Sequence, residues 1–285
     1  MIQAKWLPPL PLPSWLSLMS KQNILLESLK ESFEVMWKYR FVILVIFIIQ
    51  LVFFAGIIVN SASTLTPAIR ATTEIMVYMS GLNVSETALA ENVLIGKSMF
   101  GNDPLMIYRN SQTIFTFLGW FVLIFFVLFV VLEGIIWTLT VHLSKRRKAI
   151  AFFHSMLNFT IIAVAYFVLL FLIVYLFVNS IAQNSYAVPL IFFIILNYVV
   201  LIAFSLVHLK NYREILKKTF EIAAYKSFIV IPLFLVALIL VALASFFLYA
   251  SSDMSLLSMF AAIVVFIITY VFTRILIVKT IHNLV

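Results

Sequence analysis

Six long apolar runs dominate this sequence. They cover about residues 41–62, 114–143, 159–182, 188–209, 228–250 and 256–278, and Glu133 and Arg274 are the only formal charges inside them. A helix needs about 20 apolar residues to cross the hydrocarbon core of a bilayer, so each run is long enough for one crossing. We therefore predict an all-α polytopic transmembrane helix bundle with six spans, arranged as three hairpins.

The composition agrees with a bilayer as the solvent. The chain is 65% hydrophobic and 11% charged, and its mean hydropathy is +1.17, values that soluble globular domains do not reach. Six spans use most of the 285 residues. We therefore expect one membrane domain over 24–285 and no soluble catalytic domain within these residues. The absence of cysteine excludes disulfides, thiolate nucleophiles and Cys-ligated metals.

The distribution of lysine and arginine predicts the orientation, because cytosolic flanks of spans are enriched in both. With the N-terminus inside, outer segments hold only Arg70, Lys97 and Arg109 of the 19 basic residues. We predict a multi-pass protein of the cell membrane with both termini cytosolic. The net charge of +8 then reflects this bias and attraction to anionic lipid, and we expect no nucleic-acid partner.

The segment 1–23 is rich in proline and apolar residues, and its prolines interrupt any long helix. It lacks the basic start and clean apolar core of a secretory signal, so we interpret it as an interfacial anchor. Translation that starts at Met19 instead of Met1 is an alternative, because the sequence after Met19 has the character of an ordinary polar start.

Two segments that precede spans, 24–39 and 212–226, repeat apolar residues at three- and four-residue steps with charges between them. This pattern predicts amphipathic helices on the cytosolic face of the membrane. The residues predicted to face lipid or the interface are Phe33, Lys38, Arg40, Arg146, Arg147, Lys217, Lys218 and Phe220.

These two segments also resemble each other. Residues 32–35 (SFEV) and 41–43 (FVI) align with 219–222 (TFEI) and 228–230 (FIV) at the same spacing, whereas a middle copy at 150–159 keeps only a basic lead-in and aromatic residues. The alignment indicates a duplicated unit of an interfacial helix followed by a hairpin.

Over about residues 24–280 this layout resembles six-span proteins built from repeated interfacial-helix hairpins, such as the glycerophosphodiester phosphodiesterase membrane-domain family. In that family the phosphodiesterase chemistry lies in a separate soluble domain. The matching tetrapeptides contain no catalytic residues, so the resemblance implies a membrane-embedded accessory role and no active site.

The polar stretch 63–112 is predicted to form an external helical lid. One short helix is expected to start at Thr66-Pro67 and to end at Ser80-Gly81, and a second is expected to start after Ser85. Asn83 begins an Asn-Val-Ser pattern on the predicted outer side, which makes it a possible N-glycosylation site.

Ionisable and amide side chains inside spans are the first candidates for function, because their burial in hydrocarbon is costly. Glu133 lies near the middle of its span, where it is either a proton-relay or ion site or a neutral group bonded to Asn197, Tyr166 or a backbone carbonyl. A helix that extends beyond the membrane, which would place Glu133 at a shallower depth, is a further alternative. Gln50 and Asn197 either line a cavity or bond a neighbouring helix.

Arg274 lies five residues before Lys279, within snorkelling distance of the predicted cytosolic interface. We expect it to act as an interfacial anchor; an inward orientation that pairs it with Glu133 is the alternative.

The four histidines lack the spacing of metal ligands, and no haem-ligand pair, phosphate loop or nucleophile with a base is present, so we expect no cofactor, no metal and no enzymatic activity. Two functions remain. The first is a non-enzymatic accessory or scaffold subunit that binds the lipid bilayer and a protein partner at the cytosolic face or within the membrane, and the second is a permease or transporter subunit.

Overall fold

The computed structural model describes residues 14–81, 105–145, 149–181, 187–251 and 254–285. The predicted N-terminal anchor before residue 14, the central part of the lid with Asn83, and the basic residues Arg146 and Arg147 lie outside the described residues.

Every regular element in the described part of the chain is helical. The helices are α1 (Ser14–Lys38), α2 (Arg40–Gly81), α3 (Leu105–Leu128), a π-helical segment (Phe129–Glu133), α4 (Gly134–Lys145), α5 (Ala149–Ile181), α6 (Ala187–Ser205), α7 (Tyr212–Tyr225), α8 (Ser227–Ala250) and α9 (Leu256–Leu284).

Within the described residues, six stretches of helix are long and apolar enough to cross a membrane, which confirms the predicted fold class and number of spans. Their bounds are Arg40–Ser80, Leu105–Leu143, Ala151–Asn179, Ala187–Ser205, Ser227–Ala250 and Leu256–Leu284. The second stretch combines α3, the π-helical segment and most of α4. The chain is therefore a candidate multi-pass membrane protein with six spans.

The prediction that a new helix starts at Thr66-Pro67 is wrong. α2 continues through Pro67 to Gly81. Proline removes only one backbone donor, and the hydroxyl groups of neighbouring residues help to satisfy the backbone of such helices. Here Pro67 removes the donor for the Ser63 carbonyl, four residues earlier, so α2 loses one backbone hydrogen bond and continues. The beginning of the predicted lid is thus a direct extension of the first span.

The described chain divides into two compact units. One contains residues up to Ile49 together with Gly134–Val285, and the other contains Gln50–Glu133. In the second unit α2 packs against α3: the Asn60 side-chain amide donates to the Phe121 carbonyl at 3.0 Å, and the Asn110 amide donates to Glu74 at 3.2 Å.

The first unit is organised around α9, which packs against α1, α4, α6 and α8. Its C-terminal half is buried almost continuously from Thr273 to Ile281. α1 is fixed on this helix by a Phe33–Phe272 ring contact, with centroids 4.8 Å apart, and by an ion pair between Lys279 and Glu31 at 3.5 Å. The segment after α6 is fixed from α5, where the Asn158 amide donates to two carbonyl oxygens, at 3.0 and 2.9 Å.

The two aligned copies have the same local geometry. One non-helical residue, Tyr39 or Lys226, separates the amphipathic helix from the following span. The Tyr39 amide donates to the Val35 carbonyl and the Lys226 amide to the Ile222 carbonyl, both at 3.0 Å. In each copy the phenylalanine of the repeated tetrapeptide is exposed, whereas its first and last residues are buried. The middle segment lacks this break, because α5 is continuous from Ala149 to Ile181.

Candidate functional site

A groove of about 1120 Å³ lies in the first unit between α6 and α8. Residues of α7 and α9 and Trp137 of α4 also line it. Ile194 of α6 and Leu235 and Leu238 of α8 line the groove and are each more than half exposed. The groove therefore opens sideways, toward the surface that lipid covers in a bilayer.

The lining is almost entirely apolar. Large aliphatic and aromatic residues come from α6 and α8, and four alanines lie among them: Ala223 and Ala224 on α7, and Ala237 and Ala242 on α8. Small residues let a neighbouring backbone approach closely, and they are typical of helix–helix interfaces in membranes. The groove therefore combines a wide apolar surface with places for close contact.

Arg274 is the one formally charged residue among the described residues that line this groove. Its side chain is 3% exposed, and its guanidinium carbon lies 5.1 Å from the Trp137 ring centroid and 5.0 Å from that of Tyr270. Both rings stabilise the cation through their π faces. The expectation that Arg274 snorkels outward as an anchor is thus wrong, because the face of α9 that carries it is turned toward α4.

The contacts around Asn197 join two helices at the edge of the groove. The Tyr166 hydroxyl of α5 donates to Asn197 Oδ1 at 3.2 Å, and Asn197 Nδ2 donates to the Phe193 carbonyl at 2.8 Å. Asn197 also lines the groove. Both roles considered for this residue are therefore present.

Glu133 and Gln50 form a buried pair in the second unit. Gln50 Nε2 donates to Glu133 Oε1 at 3.1 Å, and the two side chains are 0% and 2% exposed, respectively. Gln50 Oε1 is also buried and accepts no hydrogen bond from the described residues. The sequence pointed to both residues but not to their pairing.

The backbone at Glu133 is unusual. A π-helical segment runs from Phe129 and ends at this residue. Such segments inside α-helices are rare and are frequent at functional sites. Glu133 and Arg274 belong to different units.

The predicted interfacial residues have different surroundings. Phe33 contacts α9, whereas Phe220 is 62% exposed and lines the groove. Lys38 and Arg40 lie over the rings of the residues that follow them, Lys217 is exposed, and Lys218 forms an ion pair with Glu221 at 3.3 Å. Phe220 is the residue of this set that connects the amphipathic helix to the groove.

Histidines lie near the ends of α4, α6 and α9 as Val141-His142, Val207-His208 and Ile281-His282. The His208 and His282 rings are 4.5 Å apart, and the His282 imidazole contacts the Ser205 carbonyl oxygen at 3.0 Å. No group of three or more metal-binding side chains occurs within the described residues. His208 and His282 thus contact each other, and His282 also contacts a backbone carbonyl.

Sequence reasoning missed the groove and the aromatic pair that holds Arg274. Tyr270 and Arg274 are four residues apart and so share a face of α9, which was a readable signal. The contact between Trp137 and Arg274 depends on tertiary packing, so no local sequence pattern indicates it. Comparison of the chain with protein-family models, with curated proteins and with solved structures finds no match.

Proposed function

We propose that this chain is a non-enzymatic accessory or scaffold subunit of a membrane complex, and that it holds a transmembrane helix of a partner protein in the groove between α6 and α8. The observation that carries this proposal is the groove itself, which is wide, apolar and open to the side.

The size of the groove supports a helix as its occupant. A helix with side chains is about 10 Å wide, so the groove volume of about 1120 Å³ corresponds to roughly 14 Å of helix, or about nine to ten residues. α6 and α8 both pack on α9, and residues of both helices line the groove. Half of a typical span fits this space.

The lining also favours a helix over loosely held acyl chains. Association of helices in a bilayer depends on close packing and on polar contacts, because lipid tails are as apolar as the helices. The alanines provide the close approach, and Asn197, which also lines the groove, provides a polar side chain. Ordinary acyl chains need neither.

The proposal includes the orientation indicated by the basic residues, with α7 and both termini in the cytosol of a cell-membrane protein. Reporter fusions after Arg147 and after Lys218 should report a cytosolic position, and a fusion near Asn83 should report an external one. An external signal from either basic segment contradicts this orientation.

Co-purification tests the function. Ala242→Trp places a large side chain in the groove at an exposed position, whereas Leu243→Trp makes the same change on an exposed face that does not line the groove. We expect mass spectrometry to find a recurrent membrane protein with the wild type and with Leu243→Trp, and to find it depleted about tenfold with Ala242→Trp at equal abundance of the bait. Equal recovery with both variants rejects the groove as the docking site.

A permease subunit is the second candidate, and the Gln50–Glu133 pair favours it. A buried carboxyl group beside an amide oxygen that accepts no hydrogen bond from the described residues, at the end of a π-helical segment, has the chemistry of a proton-binding site. Glu133→Gln keeps the shape but cannot ionise. A folded Glu133→Gln protein that loses a pH-dependent transport phenotype would place the permease ahead of the scaffold.

A further inference from the structure

We infer that α7 binds an anionic phospholipid, with Arg213 and Lys217 on the headgroup phosphate and with Tyr212 and Leu216 against the acyl chains. The inference goes beyond the proposed function, because the lipid lies on the outer face of α7 and does not depend on what occupies the groove.

The place of α7 in the chain favours a position at a membrane surface. The candidate span Ala187–Ser205 precedes it, and only Lys226 separates it from the next span, Ser227–Ala250. Five of the 14 residues of α7 are charged, and burial of so many charges in hydrocarbon is costly. A helix of this composition that is tied to a span lies in the plane of the interface, with its apolar side toward the acyl chains.

One face of α7 is fixed to the helix bundle. Ile215, Thr219 and Ile222 are buried at steps of four and three residues, which is the spacing of a single helix face. The Tyr198 hydroxyl of α6 also donates to the Ala223 carbonyl oxygen of α7 at 3.2 Å. These contacts determine which residues of α7 lie on its outer face.

An apolar ridge runs along the outer face of α7. Tyr212, Leu216 and Phe220 lie four residues apart, so they are neighbours on the helix surface, and they are 48%, 47% and 62% exposed. Exposed apolar groups on an interfacial helix enter the boundary between headgroups and acyl chains, where tyrosine is enriched. Phe220 also lines the groove, so Tyr212 and Leu216 are the part of the ridge that is left for lipid.

Two cations lie beside this ridge. Arg213 and Lys217 each follow a ridge residue by one position, both are exposed, and neither forms an ion pair within the described residues. Arg213 Nε donates to the Tyr212 hydroxyl at 3.4 Å, and the guanidinium group has four further N–H groups. Residues four apart on a helix have Cβ atoms about 5–6 Å apart, so both cations reach one phosphate.

An anionic phospholipid matches the ridge and the cations together. Its phosphate accepts N–H groups from the cations, and its acyl chains cover the apolar ridge next to them, whereas a soluble anion supplies only the phosphate. Basic residues near a membrane surface are attracted to anionic lipid, which is abundant in the cytosolic leaflet. The headgroup and the chains of the lipid therefore each have a partner on α7.

The neighbouring Lys218 provides a matched control. It shares a face with Glu214 and Glu221, beyond the two cations as seen from the ridge, and its ammonium lies 3.3 Å from the Glu221 carboxylate. Lys217 and Lys218 are adjacent and carry the same charge, but only Lys217 lies beside the ridge.

Quenching of a probe on α7 by brominated lipids tests the inference. The chain contains no cysteine, so Leu216→Cys provides a single site for a bimane label. The labelled full chain is reconstituted in vesicles of phosphatidylcholine and phosphatidylglycerol, with the bromine atoms on one lipid or the other. The ratio of quenching by the two brominated lipids, at equal lipid fractions, measures the preference for the anionic headgroup beside residue 216.

We expect brominated phosphatidylglycerol to quench more strongly than brominated phosphatidylcholine. A Lys or Arg near an anionic surface changes binding by about fivefold, so Lys217→Gln and Arg213→Gln should each lower the preference about fivefold. Lys218→Gln should leave the preference within about twofold. Quenching by brominated phosphatidylcholine in pure phosphatidylcholine vesicles should be the same in all variants, which shows that α7 still lies against the bilayer.

Three results would overturn the inference. The first is equal quenching by the two lipids, or no quenching by either, in the labelled chain without further substitutions. The second is an equal loss of preference in Lys217→Gln and Lys218→Gln, since it indicates attraction by overall charge and no site beside the ridge. The third is loss of the preference in inorganic phosphate but not in sodium chloride of the same ionic strength, because the cations then bind a soluble phosphate.

Discussion

The buried hydrogen bond between Gln50 and Glu133 leads to a quantitative prediction about stability. Glu133→Leu removes the acceptor of Gln50 Nε2, which is 0% exposed and has no access to water. Leaving such a donor unsatisfied costs about 1–3 kcal/mol in proteins, and pairs measured between membrane helices contribute about 0.6 kcal/mol on average and up to about 1.7. We therefore expect a coupling of about 1–2 kcal/mol between these two residues.

A double-mutant cycle measures this coupling, because it cancels the other contacts of each residue. The free energy of unfolding is measured in mixed micelles for the wild type, Gln50→Leu, Glu133→Leu and the double variant. Glu133→Gln serves as the control, since it retains an acceptor oxygen and should lose less stability than Glu133→Leu. Additivity within about 0.3 kcal/mol, or equal losses for Glu133→Gln and Glu133→Leu, refutes the reasoning.

Two further substitutions test the packing of the first unit by thermal unfolding. Gly134→Ala should lower the free energy of unfolding by about 1–3 kcal/mol, because the new Cβ lies 3.0 Å from the ring of Phe159, which is fully buried. In the control Gly119→Ala the new Cβ meets no atom within 4 Å, so this variant should be as stable as the wild type or slightly more stable. Asn158→Ala should lower the free energy of unfolding by about 1–3 kcal/mol, since two carbonyl oxygens lose their donor. In the control Thr160→Val only a hydrogen bond within one helix is lost, so the free energy of unfolding should change by less than about 0.5 kcal/mol. Equal effects within either pair contradict these assignments.

The local sequence was sufficient to predict the membrane-spanning helices of this fold. Charge-free runs of about 20 residues define spans almost independently of context, because a bilayer leaves the backbone few other structures. The aligned tetrapeptides at 32–35 and 219–222 also anticipated that both amphipathic helices are followed by a span after one intervening residue. The helix start predicted at Thr66-Pro67 was wrong, because Pro67 and nearby hydroxyl residues have the composition of a boundary yet lie inside α2.

The candidate site was much less predictable. The face of α9 that is buried depends on the helices that pack on it. The separation of Arg274 from Lys279 in the sequence therefore led to a wrong prediction of an exposed, interfacial side chain. The groove arises from the separation of α6 and α8, which no local pattern encodes. Gln50 and Glu133 were recognisable as costly polar groups in apolar runs, but their pairing spans 83 positions of sequence.

The most direct test of the central claim is site-specific photocrosslinking in membranes of cells that naturally express the chain. Benzoylphenylalanine replaces Leu238 inside the groove or Leu243 outside it, on the same helix. We expect one discrete adduct from Leu238, mapped by mass spectrometry to an apolar segment of about 20 residues in another protein, and loss of that adduct when Ala242→Trp is added. Adducts with lipid alone at Leu238, or the same protein adducts at both positions, would contradict the proposal.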